Sequence, residues 1–305
     1  MKDRIIRTVA GDVSPDSIDF FHCHEHIWID GNKLGSDSPV RPIDDFQKSL
    51  SELALLSKRT AIVDCQPVSA GGSTAILKSL SAKSGVGIIS STGFHKMCFY
   101  HAESSILNAK LCDLKRKFSN ESRKCGVIKT AVEKNGIRGR YEILHTAASS
   151  VSRATGLKVV VHTDPGSYAV DVLDFYRENG VEETSVVLCH LDRTEPDISV
   201  HIEAARRGAY LEYDTIARGK YHSDEEEIGI IRKICDAGLS DKILLGLDTT
   251  RERLKGYSGS AVVGLDYIEK TFITKLKAHG FSDGTIALFV RENPRTALSF
   301  IPKEK

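Results

Sequence analysis

The sequence predicts a (β/α)8 barrel, and three features of the chain support this fold. Its 305 residues suit one TIM barrel, which takes roughly 250 residues plus insertions. Eight short apolar runs alternate with polar segments of helix length. No glycine-rich dinucleotide fingerprint follows the first run, which argues against an open doubly wound sheet. We therefore expect a single α/β barrel domain over residues 1–305.

The apolar runs are expected to form the parallel strands of the barrel. Val159, Val160 and Val161 form a continuous β-branched run, as expected for a strand that helices cover on both faces. The eight predicted strands comprise residues 18–24, 60–65, 86–92, 125–131, 158–163, 185–190, 209–214 and 243–248.

Helices between the strands are predicted where polar segments end at glycine. Residues 141–155 precede Gly156, and residues 224–237 precede Gly238. Glycine can adopt the left-handed conformation that stops a helix. Strand and helix are therefore expected to alternate along the chain.

The composition favours a folded cytoplasmic protein without nucleic-acid or membrane partners. Hydrophobic residues make up 41% and charged residues 27%, which is a globular balance. Lys and Arg number 42 against 41 Asp and Glu, so no basic field would attract nucleic acid. No segment has the apolar length of a signal peptide or a membrane span. The seven cysteines form no CxxC pair and are expected to be reduced.

Residues able to bind metal lie at the C-terminal ends of the predicted strands. In this fold those ends build the active site, so residues distant in sequence converge there. The candidates are His24, His26, Lys129, His162, His190 and Asp248.

His24 and His26 are two residues apart on one predicted strand, so they face the same side, whereas Glu25 points away. Imidazole and carboxylate are usual ligands of zinc, manganese or cobalt. One histidine in an apolar run is more often a hydrogen-bonded core residue. Four histidines at matching strand ends favour a metal site.

The remaining histidines are given other roles. His22 is expected to pack behind the ligands, while His95 and His101 follow the third strand toward the mouth of the barrel. Histidines in predicted helices and loops are expected at the surface. These are His145, His201, His222 and His279.

Lys129 leaves two interpretations open, because an ammonium group has no lone pair with which to bind a metal. A buried lysine could form a Schiff base, as in aldolase-type barrels. Alternatively, carbon dioxide could convert it to a carbamate whose two oxygens bridge two metals.

Five motifs occur in order over nearly the whole chain. They are His22-Cys-His-Glu-His-Ile, Gly126-Val-Ile-Lys-Thr-Ala, Val161-His-Thr, Cys189-His-Leu-Asp and Gly246-Leu-Asp. Together they resemble the motifs of the phosphotriesterase family in the amidohydrolase superfamily. The resemblance implies two divalent metal ions, with zinc expected and manganese or cobalt as alternatives. It assigns His24, His26 and Asp248 to the more buried ion, His162 and His190 to the more exposed ion, and a carboxylated Lys129 to the bridge between them.

The resemblance also implies hydrolysis of a small-molecule ester. A water that bridges two divalent ions loses its proton near neutral pH and attacks the substrate, whose carbonyl or phosphoryl oxygen the exposed metal polarises. Asp248 would accept the proton and transfer it toward the leaving group.

The segment after the last predicted strand bears on the substrate. Arg251, Lys255 and Tyr257 follow Asp248 closely, and loops after the last strands of barrels commonly bind phosphate. Family members with similar residues there are lactonases of phosphorylated sugar lactones, so we predict that these three side chains hold a substrate phosphate. Residues 64–73 lack the Gly-Arg-Asp or Gly-Arg-Asn pattern expected after the second strand, which leaves the chemistry of that loop open.

Three alternatives stay open on the sequence alone. One is hydrolysis of a phosphotriester or phosphodiester at the same site. The second is a Schiff-base lyase acting through Lys129, and the third is a metal-binding protein without catalysis. As the resemblance implies for the family, a homodimer is also expected.

Overall fold

Eight parallel strands form the centre of the fold, which confirms the predicted (β/α)8 barrel. The computed structural model describes residues 4–258 and 263–303. In chain order the strands are β1 (Ile6–Thr8), β2 (Gly11–Val13), β3 (Phe20–Glu25), β4 (Thr60–Asp64), β5 (Gly87–Gly93), β6 (Val127–Val132), β7 (Lys158–Thr163), β8 (Val186–Cys189), β9 (Tyr210–Tyr213) and β10 (Ile243–Leu245). Strands β3 to β10 form the barrel sheet, in which each strand pairs with its neighbour in sequence.

The barrel closes where the end of β10 meets β3. The backbone N–H of Asp248 donates to the carbonyl oxygen of His24 at 2.9 Å. A Cβ atom on Gly246 would lie 2.8 Å from the Cβ of His24, so glycine permits this close approach. The first and last predicted ligands thereby become neighbours.

Helices follow the barrel strands and cover their outer faces. The predicted helices 141–155 and 224–237 are observed as Arg140–Thr155 and Asp224–Asp236, and Gly156 has the expected positive φ of 83°. The α-helices are α1 (Phe46–Leu53), α2 (Thr74–Ser84), α3 (Ser105–Asn108), α4 (Leu111–Glu121), α5 (Arg140–Thr155), α6 (Ala169–Glu178), α7 (Leu191–Thr194), α8 (Ile198–Arg206), α9 (Asp224–Asp236), α10 (Ile273–Ala278), α11 (Asp283–Ala287) and α12 (Asn293–Leu298). Within the described part of the chain, no helix is both long and apolar enough to cross a membrane.

The hairpin of β1 and β2 covers the N-terminal end of the barrel. Ile5 forms an antiparallel bridge with Phe300, so the two ends of the described chain meet there. Ile6 and Leu298 are buried in the same cluster as Phe21 of β3. The sequence analysis did not predict this hairpin, because each of its strands has only three residues.

Alternation along β7 shows how the strands separate the core from the site. Val159 and Val161 pack in a cluster with Leu173 of α6, outside the barrel. Val160 belongs to a different cluster, inside the barrel. His162 shares the inward face of Val160, at the end of the strand where the barrel opens.

The expected surface position is wrong for His145 and His201, which are both buried. Nδ1 of His145 lies 2.7 Å from the hydroxyl of Tyr176, and Nδ1 of His201 lies 2.9 Å from that of Tyr213. Each Nε2 also has a backbone carbonyl partner. Both ring nitrogens of each buried histidine therefore have partners, as buried polar groups usually do. His222 is partly buried, whereas His279 is exposed as predicted.

Gly93→Ala is expected to lower the free energy of unfolding by about 2–4 kcal/mol. Gly93 has a φ of 101°, and a Cβ atom there would lie 2.0 Å from the carbonyl oxygen of Lys129. Gly85→Ala is the matched control, because Gly85 also has a positive φ but nothing lies within 4 Å of the added atom. Urea unfolding should show a loss of only about 1 kcal/mol for the control. Equal losses in the two variants would contradict the tight contact between β5 and β6.

Candidate metal centre

Four of the predicted ligands lie in one group where β3, β6 and β10 end. Nε2 of His24 is 3.1 Å from Nζ of Lys129 and 3.9 Å from Oδ1 of Asp248. Nε2 of His26 is 3.3 Å from the same carboxylate oxygen. All four side chains are buried. Closure of the barrel therefore places nitrogen and oxygen donors around one point.

His162 and His190 lie beside this group. The His190 ring centroid is 4.4 Å from that of His162 and 4.8 Å from that of His24. Nε2 of His162 is 2.9 Å from Oδ1 of Asp164, and burial is the main cause that lowers the pKa of His162 to about 4. The ring is therefore neutral near pH 7. With Nε2 donating to Asp164, Nδ1 keeps the lone pair that a metal requires.

Two buried carboxylates orient the imidazoles from behind. Nδ1 of His24 lies 2.6 Å from Oε2 of Glu212, and Nδ1 of His190 lies 2.7 Å from Oδ1 of Asp214. Burial lowers the pKa of His24 well below its usual value and raises that of Glu212 to about 8. A cation at Nε2 of His24 would favour a proton on Nδ1 and negative charge on Glu212. That arrangement is usual behind histidines that bind metals.

Two arginines hold the side chain of Asp248. Arg193 lies 2.8 Å from Oδ2, and Arg218 also donates to this oxygen. Burial alone would raise the pKa of Asp248, but the guanidinium groups of Arg218 and Arg193 outweigh it and hold the pKa well below its usual value. Asp248 is therefore a carboxylate at neutral pH.

Glu25 supports the backbone on both sides of Asp248. Its two carboxylate oxygens accept hydrogen bonds from the N–H groups of Leu247 at 3.0 Å and Thr249 at 3.3 Å. Asp248 between them has a φ of 45°, a left-handed conformation that is uncommon for a residue other than glycine. His22 lies 3.3 Å from Glu25, in the predicted position behind the ligands.

Lys129 is fully buried, and its amine hydrogen-bonds to His24. Among the described residues, no carboxylate oxygen lies within 4 Å of its Nζ. A buried lysine usually pairs with an acid or loses its charge. Burial alone would lower the pKa of Lys129, but the neighbouring Cys65, Cys189, Glu212 and Asp248 outweigh it and raise the pKa. The unmodified side chain is therefore an ammonium group without a close carboxylate partner.

The donor atoms fit a divalent metal centre. One set that lies within 4.8 Å comprises His24, His26 and Asp248, and another comprises His190, Asp214 and Asp248. Both combine imidazole nitrogen with carboxylate oxygen, the ligands that zinc, manganese and cobalt take in proteins. Oδ2 of Asp214 is buried without a hydrogen-bond partner. Buried carboxylates are paired or bind metals in most proteins.

A cavity of about 130 Å³ opens over the cluster. His26, His162 and Asp248 line one part of it. His95 also lines it and stacks on Phe99, with ring centroids 3.9 Å apart. His101, by contrast, is exposed. The basic residues of the cavity wall are Arg41, Lys96 and Arg218.

The predicted phosphate-holding residues do not line this cavity. Arg251 donates to the carbonyl oxygen of Pro42 at 2.7 Å, and the Tyr257 hydroxyl donates to the carbonyl oxygen of Asp45 at 2.8 Å. Lys255 lies 3.1 Å from Asp266. Arg251 and Tyr257 thus support the segment that follows Arg41 on the cavity wall.

Several residues of the site were not identified from the sequence. Glu212 and Asp214 occur at the end of the seventh predicted strand, and acidic residues inside an apolar run are a signal that could have revealed them. Arg193 and Arg218 lie in segments after β8 and β9. Nothing in their local sequence indicates that both reach Asp248.

Comparison with known proteins gives matches over nearly the whole chain. The model of the Phosphotriesterase family matches residues 4–298. The phosphotriesterase homology protein of Escherichia coli (strain K12) is 24% identical over 292 residues, covering 92% of this chain and 98% of that protein. The phospho-furanose lactonase of Mycoplasmopsis synoviae (strain 53) is 27% identical over 334 residues, covering 99% and 94%. The human N-acetyltaurine hydrolase is 26% identical over 295 residues, covering 90% and 83%.

A solved structure of a relative also matches over nearly the whole chain. The crystal structure of a lactonase from Listeria monocytogenes superimposes with a TM-score of 0.87 at 25% sequence identity. The match covers 98% of this chain and all of that one. The whole barrel, together with its segments at the C-terminal ends of the strands, is therefore shared with a lactonase.

Glu212→Gln is expected to weaken zinc binding by about 10- to 100-fold, because the amide cannot carry the charge that orients the ring of His24. The measurement is a competition titration with a chelator. Glu121→Gln is the control, since Glu121 is a partly buried carboxylate that accepts from Thr92 on the outer side of β5, away from the candidate metal centre. An affinity unchanged from the wild type in Glu212→Gln would remove Glu212 from the metal centre.

Proposed function

The chain belongs to the phosphotriesterase family, and from this premise we propose that it hydrolyses the ester bond of a lactone. Hydrolases of this family depend on metal, and the curated relatives and the Listeria structure include lactonases. The observation that carries the proposal is the convergence of His24, His26, Lys129 and Asp248 in one group, two members of which, His26 and Asp248, line a cavity. Donors of this kind, open to a cavity, suit catalysis better than storage of a metal.

We infer two divalent ions, with zinc as the expected metal. His24, His26 and Asp248 would hold one, and His162 and His190 the other. When bound, such ions polarise a carbonyl oxygen and make water more acidic. The chain itself supplies the orienting carboxylates behind His24 and His190 and the partly enclosed cavity.

Carboxylation of Lys129 would complete the ligand set. The ammonium group would first lose one proton; the amine would then add its lone pair to the carbon of carbon dioxide and release a second proton, giving a carbamate with two oxygens. This proposal rests on the burial of Lys129 without a carboxylate within 4 Å in the described residues. The carbamate would convert an amine that cannot bind two metals into a bridging anion.

Asp248 would move the proton during hydrolysis. Arg193 and Arg218 keep it ionised in spite of its burial. In this form it would act as the general base toward the attacking water. It also lines the cavity, from which it can pass the proton to the leaving alkoxide.

The substrate we propose is a phosphorylated sugar lactone. Two of the curated relatives are phospho-furanose lactonases, 27% and 28% identical over nearly the whole chain. The cavity wall offers Arg41, Lys96 and Arg218, and guanidinium and ammonium groups are suitable donors to phosphate. If the protein turns over phosphoesters and not lactones, phosphoester hydrolysis at the same site replaces the proposed activity.

A second candidate is hydrolysis of an acyl amide that carries an anionic group. It is favoured by the relatives named N-acetyltaurine hydrolase. The same basic wall would serve a sulfonate as well as a phosphate. A screen of lactones, phosphoesters and N-acyl amides, with zinc and bicarbonate supplied, distinguishes the candidates by the class that is turned over.

Lys129→Ala is expected to abolish turnover, and small carboxylates should restore part of it. Acetate or propionate can occupy the space of the missing side chain and supply the two oxygens of a carbamate. Methylamine and ethylamine replace only an amine, so they should restore nothing. Rescue by the amines together with borohydride trapping of the wild type would instead establish a Schiff-base lyase.

Arg41→Ala is expected to raise KM for a phosphorylated lactone about tenfold, and to change KM for its unphosphorylated analogue little. Arg251→Ala is the matched variant. Its side chain supports Pro42 rather than the cavity wall, so it should change both substrates alike. If Arg251→Ala raises KM only for the phosphorylated lactone and Arg41→Ala does not, the phosphate group is bound by Arg251, Lys255 and Tyr257 instead.

A further inference from the structure

A second cluster of potential ligands lies apart from the candidate metal centre. It consists of Asp192, His222 and Glu227, each with one donor atom within 4.8 Å of the others. Asp192 lies in α7 after β8, Glu227 lies in the first turn of α9, and His222 lies just before α9. The three side chains therefore join the elements that follow two neighbouring barrel strands.

The cluster buries carboxylate oxygens that have no partner. Glu227 is fully buried, and neither of its oxygens makes a hydrogen bond. Oδ1 of Asp192 is also buried and unpartnered. Nε2 of His222 lies 3.1 Å from Oε2 of Glu227, but the two groups are not aligned for a hydrogen bond. Unpaired buried carboxylates are costly and rare.

The two carboxylates form no close ion pair with a lysine or arginine of the described residues, although the charge of Arg193 acts on Asp192 from a longer distance. Across the described residues, no lysine or arginine nitrogen lies within 4 Å of Asp192 or Glu227. Burial, followed by the neighbouring carboxylate of Asp192, raises the pKa of Glu227 well above its usual value, so without a cation the two acids can share one proton. A divalent cation balances both charges and binds all three donors.

We propose that Asp192, His222 and Glu227 bind a further divalent cation, of the zinc or manganese type. Two carboxylates and one imidazole are a suitable ligand set for these ions. The side chain of His222 is 12% exposed, which places the cluster next to solvent, where a water would serve as the fourth ligand. Both carboxylates are held on helices, which limits the rearrangement needed for binding.

The cation would stabilise the segment between β9 and α9. Oδ2 of Asp192 accepts from the backbone N–H groups of Asp214 at 2.9 Å and Thr215 at 2.7 Å. His222 lies at the other end of this segment, and Arg218, which contacts Asp248, lies inside it. An ion that connects Asp192 with His222 would therefore hold both ends of the segment that positions Arg218.

The experiment compares metal content in the full-length protein loaded with zinc and freed of excess metal. His222→Gln/Glu227→Gln removes two of the three ligands and keeps the side-chain sizes similar. Glu225→Gln is the control, because Glu225 is an exposed carboxylate in the same turn of α9. We expect one zinc fewer per chain in the double variant than in the wild type, and no change in the control. Amide exchange in residues 215–223 should become faster in the double variant only.

Equal metal content in the double variant and the wild type would overturn the proposal. So would a crystal of the zinc-loaded wild type without an anomalous peak between the three side chains at the zinc edge. If the double variant does not fold, His222→Gln alone, at a partly exposed position, provides the same comparison. Because the readout is the difference between variant and wild type, it does not depend on the proposed lactonase activity.

Discussion

The contact between the ends of β3 and β10 brings the candidate metal ligands of this chain together. One backbone hydrogen bond, from Asp248 to His24, joins the last strand to the first. Gly246 allows the approach, since any Cβ atom there would touch His24. His24, His26 and Asp248 belong to the same site only because the barrel closes at this point. The architecture and the ligand set therefore depend on one close backbone contact.

Buried acids orient the side chains that closure of the barrel brings together. Glu25 holds the backbone around Asp248, and Glu212 and Asp214 hold the rings of His24 and His190. Each of these acids loses hydration on folding, a cost that is offset where its oxygens accept hydrogen bonds. The benefit is preorganisation: the donors already point into the cavity before a metal or a substrate arrives.

The sequence was sufficient to predict the barrel and the grouping of the six candidate ligands. The apolar runs have the length and continuity of buried parallel strands, and their ends must meet in a barrel, so His24 and His162 could be placed without coordinates. Residues that act from loops could not be placed in this way. Arg193 and Arg218 reach Asp248 through the fold of their segments, and no periodicity encodes that path.

The burial of histidines in helices also could not be predicted from the sequence. His145 was expected at the surface because histidine is polar, but its partner Tyr176 comes from another helix, α6. The phosphate-holding role predicted for Arg251 depended on its distance from Asp248 along the chain. In the folded chain Arg251 instead contacts Pro42, because the loop after β10 packs against the segment before α1.

The three basic residues on the cavity wall differ in how strongly each is paired with an acid. Arg218 contacts Asp248, and Lys96 lies 3.0 Å from Asp164, so both already compensate acids of the site. Arg41 lies 3.6 Å from Glu252 with 70% of its side chain exposed, and an exposed pair of this kind contributes little. An anionic substrate can therefore recruit Arg41 without uncovering a buried charge. Arg218 and Lys96 therefore compensate the acids of the site, and among these three side chains Arg41 has the weakest pairing to give up on binding an anion.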